Sequence, residues 1–414
     1  MKNYLCSALI LLAMVSCDSK KEAVKPSYKT PDMKLASDVM TPEVLWSFGR
    51  IGSVSVSPDQ KTLLYDVTYF NKEEDRSYSD IYVMNLADGK SKQLTDTDYK
   101  EFGETWTSDG KIAFMSSKSG SVQLWEMNAD GSGLTQLTNV EGGIGGFIFS
   151  PDKSKLLFLK DVKLEQDVHD LHPDLPKANA RLIDGQVYRH WNDWVEAYTH
   201  PFVADYIPGQ MVTTGKDIME GEKWESPVRP WGGTEQITWT KDGKGVIYMA
   251  RKKEGIAYMT STNTDLYLYD LNSGKTRNLT EGMMGYDQNQ VISPNGELMA
   301  WESMERDGYE ADKIRLFVMN LKTGEKKEYT KDFDQNVGSL SWADNTIYFI
   351  SDHHATDEIY RLTLNDGVIT KLTEGVHNYT SVIPVNDYLI ATKVSMSQPA
   401  EIYKVDPKTG KDTE

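Results

Sequence analysis

The 414-residue sequence is nearly free of cysteine: Cys6 and Cys17 are the only two, both within the first 17 residues. No intramolecular disulfide can therefore form downstream of Cys17. Long apolar runs are missing too, since the stretch from Leu5 to Val15 is too short for an ordinary membrane span. Positive charge is scarce: 45 Lys and Arg face 62 Asp and Glu, for a net charge of -17. That balance argues against nucleic acid, whose binding rests on neutralising phosphates. It favours solubility and identifies no partner.

Several catalytic signatures are also lacking. A strained GxSxG elbow is not present; "GSVSVS" and "GSLSW" both fail at the final glycine. Neither a GxxxxGK[ST] loop nor an HExxH pair occurs. The segment "EMNADGSGLTQL" (126–137) has Leu137 where a calcium loop needs a bidentate acid, so it is a turn. His169 and His172 in "DVHDLHPDL" have no third ligand at metal spacing, and His353-His354 sit in a turn. No metal and no cofactor is implied.

What the N-terminus does contain is an export pattern: Lys2, the apolar run, small Ser16, then Cys17. "MVSC" resembles a bacterial lipobox, with Met14 where the pattern prefers Leu, so Cys17 is the expected lipidation site. Residues 1–17 are then a lipoprotein-type signal peptide and 18–40 a polar tether. Residues 41–414 form the folded body. The expected location is the periplasm or cell envelope, lipid-anchored to a membrane.

Aromatic residues are plentiful, with 22 Tyr, 10 Trp and 11 Phe, and they suit half-buried strands. One unit recurs: an apolar strand, an "SPD"-like turn, two further strands, a Gly turn and a closing "LT". Copies run over 53–95, 104–138, 236–280, 290–330 and 340–373. A third copy opens at "GFIFSPDKSKLLFLK" and closes at "HPFVADY", ending at Tyr206; a seventh runs from 381 to the end. Within a unit, Leu266, Leu268 and Asp270 alternate with Tyr267, Tyr269 and Leu271, which pleats into a strand packed on both faces. Gly in "ADGK", "NSGK" and "KTGE" supplies the positive φ of antiparallel turns. Units of this length with three or four strands are blades, so the spacing predicts an all-β, seven-bladed β-propeller. The last unit, "DPKTGKDTE", stops where its counterparts reach Leu-Thr, and its blade is expected to be truncated within the outermost strand.

Two places stand out as candidate recognition surfaces. The third unit carries an insertion at about 160–200 that ends in "VYRHWNDWVEAYTH" and brings Arg189, His190, Trp191 and Trp194 together. The loop "SMERDGYEADK" in the fifth unit carries Arg306 and Glu310.

With "YRHWNDW", "HPFVADY", "STNTDLYLYD" and "GYDQNQVISPNGELMAWESMERDGYEADKIRLFVMN" in this order, the chain resembles the N-terminal propeller of the prolyl oligopeptidase family of serine peptidases. The likeness is closest to the branch of dipeptidyl-peptidase V and acylaminoacyl peptidases. It implies a propeller that gates oligopeptide access to an α/β-hydrolase domain holding a Ser-Asp-His triad, which releases dipeptides or acyl-amino acids from peptide N-termini. No triad residue is present here, so no catalytic residue is carried over. Arg189, His190, Trp191, Trp194, Arg306 and Glu310 become substrate-contact candidates, with Glu310 able to pair with a substrate ammonium. The alternative is a self-contained periplasmic propeller lipoprotein that binds or scaffolds.

Overall fold

The computed structural model describes residue 35 and residues 37–182, 189–190 and 193–414. The signal peptide, Cys17 and most of the tether lie outside the described residues, as does Trp191. Strands group into seven antiparallel four-stranded meanders: blade 1 (50–93), blade 2 (101–136), blade 3 (146–217), blade 4 (237–278), blade 5 (287–328), blade 6 (338–371) and blade 7 (378–413). Blades 6 and 7 are additionally joined by one parallel bridge, Asp357 to Asn378.

The second strand of each blade is apolar on both faces, so it packs against both neighbours at once. Leu64 of blade 1 meets Ile112 and Phe114 of blade 2, whereas the adjacent Leu63 meets Val385 and Ile390 of blade 7. Among the described residues, seven buried clusters fill the seven seams between successive blades, the blade 7–blade 1 seam included. The ring therefore closes by side-chain packing, and among the described residues no strand is exchanged between its first and last blades. Blade 1 takes its inner strand from Arg50–Val56, while Pro42–Ser47 forms a short helix ahead of it.

Two local devices explain the repeat. The Ser or Thr of each "SPD"-like turn bonds the acid or amide two residues on: Ser57–Asp59 at 2.7 Å, Ser150–Asp152 at 2.7 Å, Thr240–Asp242 at 2.7 Å and Ser293–Asn295 at 2.7 Å. The closing Thr has a different task. Its hydroxyl accepts the amide of the residue fourteen positions earlier on the third strand: Ile81 to Thr95 at 2.9 Å, Leu124 to Thr138 at 2.8 Å, Leu266 to Thr280 at 3.0 Å, Leu316 to Thr330 at 2.8 Å and Ile359 to Thr373 at 2.9 Å. The outer strand is too short to reach that amide, and a buried amide needs an acceptor.

Blade 3 departs from the expected boundary at Tyr206. Its third strand is Tyr198–Asp205 and its fourth, Lys216–Asp217, follows a longer turn. The position that the threonine would serve is Pro201, shown by the Ile218 amide donating to its carbonyl at 3.2 Å. Proline has no N–H to satisfy, so no closing Thr is required. Blade 7 carries its outer strand at Asp412–Thr413, paired with Lys404 and Val405. This strand is as short as those of blades 2 and 3.

At the seam between blades 1 and 2, Ser53 donates to Glu104 Oε1 at 2.6 Å while its own amide donates to Asp66 Oδ1 at 2.8 Å. Burial, then the Asp66 charge, pushes Glu104 up to about 8. A carboxyl raised in the folded state stabilises the fold below its ordinary value, and this contribution is lost as pH rises through about 8. Thermal unfolding of Glu104→Gln should therefore give a Tm close to wild type at pH 5 and several degrees higher at pH 8.5; an offset that does not change with pH contradicts this assignment. Removing one clasp hydroxyl with Thr280→Val strands the buried Leu266 amide. Urea unfolding should show a loss of about 1–3 kcal/mol, and a change under about 0.5 kcal/mol would mean the clasp is dispensable.

Candidate functional site

Strand alternation sorts the connections onto two faces. Turns between strands 1 and 2, and between strands 3 and 4, share one face; loops between strands 2 and 3, and links to the next blade, share the other. The turns that carry the repeat motifs are short, apart from the longer turn before the outer strand of blade 3. On the opposite face, blade 3 inserts residues 163–197, blade 4 inserts 251–264 and blade 5 inserts 304–314. Blades 6 and 7 turn there within two residues, between His353 and Thr356 and between Ser395 and Gln398.

A cavity of about 480 Å³ opens on this loop face between blades 4 and 5, lined by Arg251, Met259, Thr260, Ser261, Thr262 and residues 308–311. Asp307 builds one wall. Its Oδ1 accepts the Ser261 hydroxyl at 2.7 Å, the Thr262 amide at 2.8 Å and the Asn263 amide at 3.2 Å. The Gly308 amide in turn donates to the Thr262 hydroxyl at 2.9 Å. Two loops from different blades are thus stitched into one rim.

Arg251 follows the second strand of blade 4 and lies between two tyrosine rings, 5.2 Å from that of Tyr258 and 5.6 Å from that of Tyr286. Its Nη2 donates to the Tyr286 hydroxyl at 3.1 Å, and that hydroxyl donates to Glu310 Oε1 at 3.3 Å. Burial pushes the Tyr286 pKa up, which keeps the phenol protonated as that donor. On the other side, the Tyr258 hydroxyl donates to buried Glu225 at 3.0 Å, and Arg229 Nε donates to Glu225 at 2.8 Å. Arg229 also reaches the Ala197 carbonyl at 2.6 Å, tying this network to the end of the blade 3 insertion. The backbone under Glu225 is held by fully buried His200: its ring nitrogens lie 2.8 Å from Asp217 Oδ2 and 3.0 Å from the Trp224 carbonyl.

The candidates drawn from sequence fall in two places. Arg189–His190 pair with Asp193–Trp194 as a two-stranded ladder within the blade 3 insertion. The side chains of Arg189 and His190, like Trp191, lie outside the described residues. Trp194 is half-buried, with the Arg181 guanidinium 4.8 Å from its ring. Arg306 and Glu310 share the blade 5 loop. Arg306 is engaged by Asp312 through a forked contact and lies 4.1 Å over the Tyr309 ring, so it shapes the loop. Glu310 is exposed on the cavity. Arg251, Tyr258, Tyr286 and Glu225 escaped the sequence reading, because the contacts that assemble them join distant loops.

His169 lies within a short helix, Val168–Leu171, and His172 caps its C-terminus; its N-cap Asp167 and N3 residue Asp170 both bond Lys163. Among the described residues no group of three His, Cys, Asp or Glu is placed to hold a metal ion.

No protein-family model matches the chain. Dipeptidyl-peptidase 5 of Porphyromonas gingivalis is 45% identical over 374 residues, covering 90% of this chain and 54% of that protein. Dipeptidyl-peptidase 5 of Porphyromonas endodontalis is 40% identical over 406 residues, covering 97% of this chain and 59% of that protein. The chain thus spans little more than half the length of these curated relatives. Among solved structures, Pyrococcus horikoshii acylaminoacyl peptidase aligns at a TM-score of 0.66 and 18% identity, over 89% of this chain and 52% of that one. The β-propeller domain of the Trilobed protease from Pyrococcus furiosus aligns at 0.59 and 14% identity, over 88% of this chain and 97% of that domain. At such identities the structural likeness speaks for the fold alone. Sequence similarity and fold agree: the chain is a β-propeller homologous to dipeptidyl-peptidase 5 across about half of those relatives' length.

Proposed function

We propose that this propeller is the non-catalytic, substrate-gating portion of an exported serine exopeptidase. The whole enzyme releases dipeptides or acyl-amino acids from peptide N-termini, using an α/β-hydrolase domain whose triad lies outside this sequence. The observation that carries this is the asymmetry of the two faces. Large apolar side chains are exposed mainly on the loop face: Trp231, Ile256, Val376 and Met396 are 78%, 65%, 91% and 104% exposed. Apolar side chains exposed on one face mark it as a contact surface, and the cavity lined by Arg251 and Glu310 opens on that same face. The names of the two Porphyromonas relatives support the peptidase class.

Within this reading Glu310 receives the substrate ammonium, as an exposed carboxylate already oriented by Tyr286. Arg189, His190, Trp191 and Trp194 of the blade 3 insertion are the further proposed substrate contacts. Arg306 acts indirectly, holding the blade 5 loop through Asp312. Residues 1–17 direct export, Cys17 carries the lipid anchor, 18–40 serve as tether and 41–414 form the propeller, in the periplasm or cell envelope.

Residues 1–414 alone should hydrolyse no dipeptidyl chromogenic substrate, whereas the same chain extended by a C-terminal α/β-hydrolase domain should. Turnover by the short form, or none by an extended form whose hydrolase reacts with a serine-directed fluorophosphonate, contradicts the proposal.

A further inference from the structure

Three consecutive cations, Arg251, Lys252 and Lys253, follow the second strand of blade 4, and their surroundings differ. Lys252 pairs with Glu222 at 2.5 Å and Lys253 with Asp307 at 3.9 Å. Arg251, the most deeply placed, is 8% exposed, and among the described residues no carboxylate forms an ion pair with it. Its Nε is buried without a hydrogen-bond partner. The other arginines near the rim behave differently: Arg229 is held by Glu225, Arg306 by Asp312 and Arg315 faces Glu328.

A guanidinium withdrawn from water normally acquires a paired acid, because a lone buried charge is costly. Two tyrosine rings and one phenol oxygen compensate Arg251 only in part. What is missing is an anion, and the cavity lets one in, since Arg251 lines it. The guanidinium fork matches the geometry of a carboxylate. The anion is limited in charge, because among the described residues Arg251 is the only cation lining the cavity and Glu310 lines it too. A dianion such as phosphate would face that acid with a single counter-charge, whereas a carboxylate on a ligand that also bears an ammonium suits both groups.

We infer that Arg251 is the carboxylate-binding group of this cavity. Its ligand is a short peptide bearing either an acidic first side chain or a free C-terminal carboxylate. The inference rests on the proposal that peptide ends enter the cavity, and it adds the anionic half of the recognition.

Titration calorimetry on the 414-residue chain separates the two sources. Asp-Ala-NH2 against Asn-Ala-NH2 tests the side-chain carboxylate, and Ala-Ala against Ala-Ala-NH2 tests the terminal one. At least one carboxylate peptide should bind about tenfold more tightly than its amide partner. Arg251→Gln should erase that preference, and Glu310→Gln should weaken both members of the pair alike. Equal affinities in both wild-type pairs, or no binding of any peptide in the millimolar range, overturn the inference without recourse to a variant. So does a preference that survives in Arg251→Gln. Because binding to this chain alone is measured, equal affinities alongside hydrolysis by the extended form would remove the carboxylate site and leave the peptidase proposal intact.

Discussion

In five blades a buried amide of the third strand has to find an acceptor, and the closing threonine supplies it. The outer strand of a blade runs for only two to four residues, so its ladder ends short of that amide. Placing a hydroxyl fourteen residues later, as with Leu266 and Thr280, fixes the length of third strand, turn and outer strand together. The hydroxyls of Thr138 and Thr373 in turn donate hydrogen bonds to Gln123 Oε1 and Glu358 Oε2, 2.7 and 2.6 Å away. Such a satisfied unit tolerates little change in length. Variation is displaced mainly to the loops between second and third strands and to the link from blade 3 to blade 4.

This displacement gives the ring two different faces. The motif-bearing turns are nearly interchangeable, while the opposite face gathers the insertions of blades 3, 4 and 5. There, loop-to-loop bonds such as Asp307 to Ser261 and Gly308 to Thr262 build a cavity from two blades. The His200 contact with Trp224 and the Arg229 contact with Ala197 extend the same framework into blade 3. Rigid seams of apolar side chains below, such as the one joining Trp239 and Tyr248 to Leu157, keep the loops in register.

Much of the architecture was legible because it is written in local code. The [S/T]-x-D turn and the Leu-Thr ending each work over a fixed short span, so seven units could be counted before any coordinates. The boundary of blade 3 was not legible, because Pro201 removes the amide whose partner served as the marker. The candidate site was legible only in outline. The loop holding Arg306 and Glu310 stood out by its charge, yet Arg306 turns onto its own neighbour Asp312. Arg251 gave no signal beyond being the first of three basic residues. Its lack of a carboxylate emerges only from which acids Lys252 and Lys253 have taken.

Under the proposed function, the loop face is the one that a C-terminal hydrolase domain would cover. Methionines report on both faces: Met284 and Met396 lie on the loop face, 46% and 104% exposed, and Met211 lies on the opposite face, 49% exposed. Hydroxyl-radical footprinting of the 414-residue chain, and of the same chain extended by its hydrolase, reads their oxidation directly. The account predicts that Met284 and Met396 become protected in the extended protein while Met211 oxidises at an unchanged rate. Protection of Met211 instead, or no change at Met284 and Met396, would contradict it.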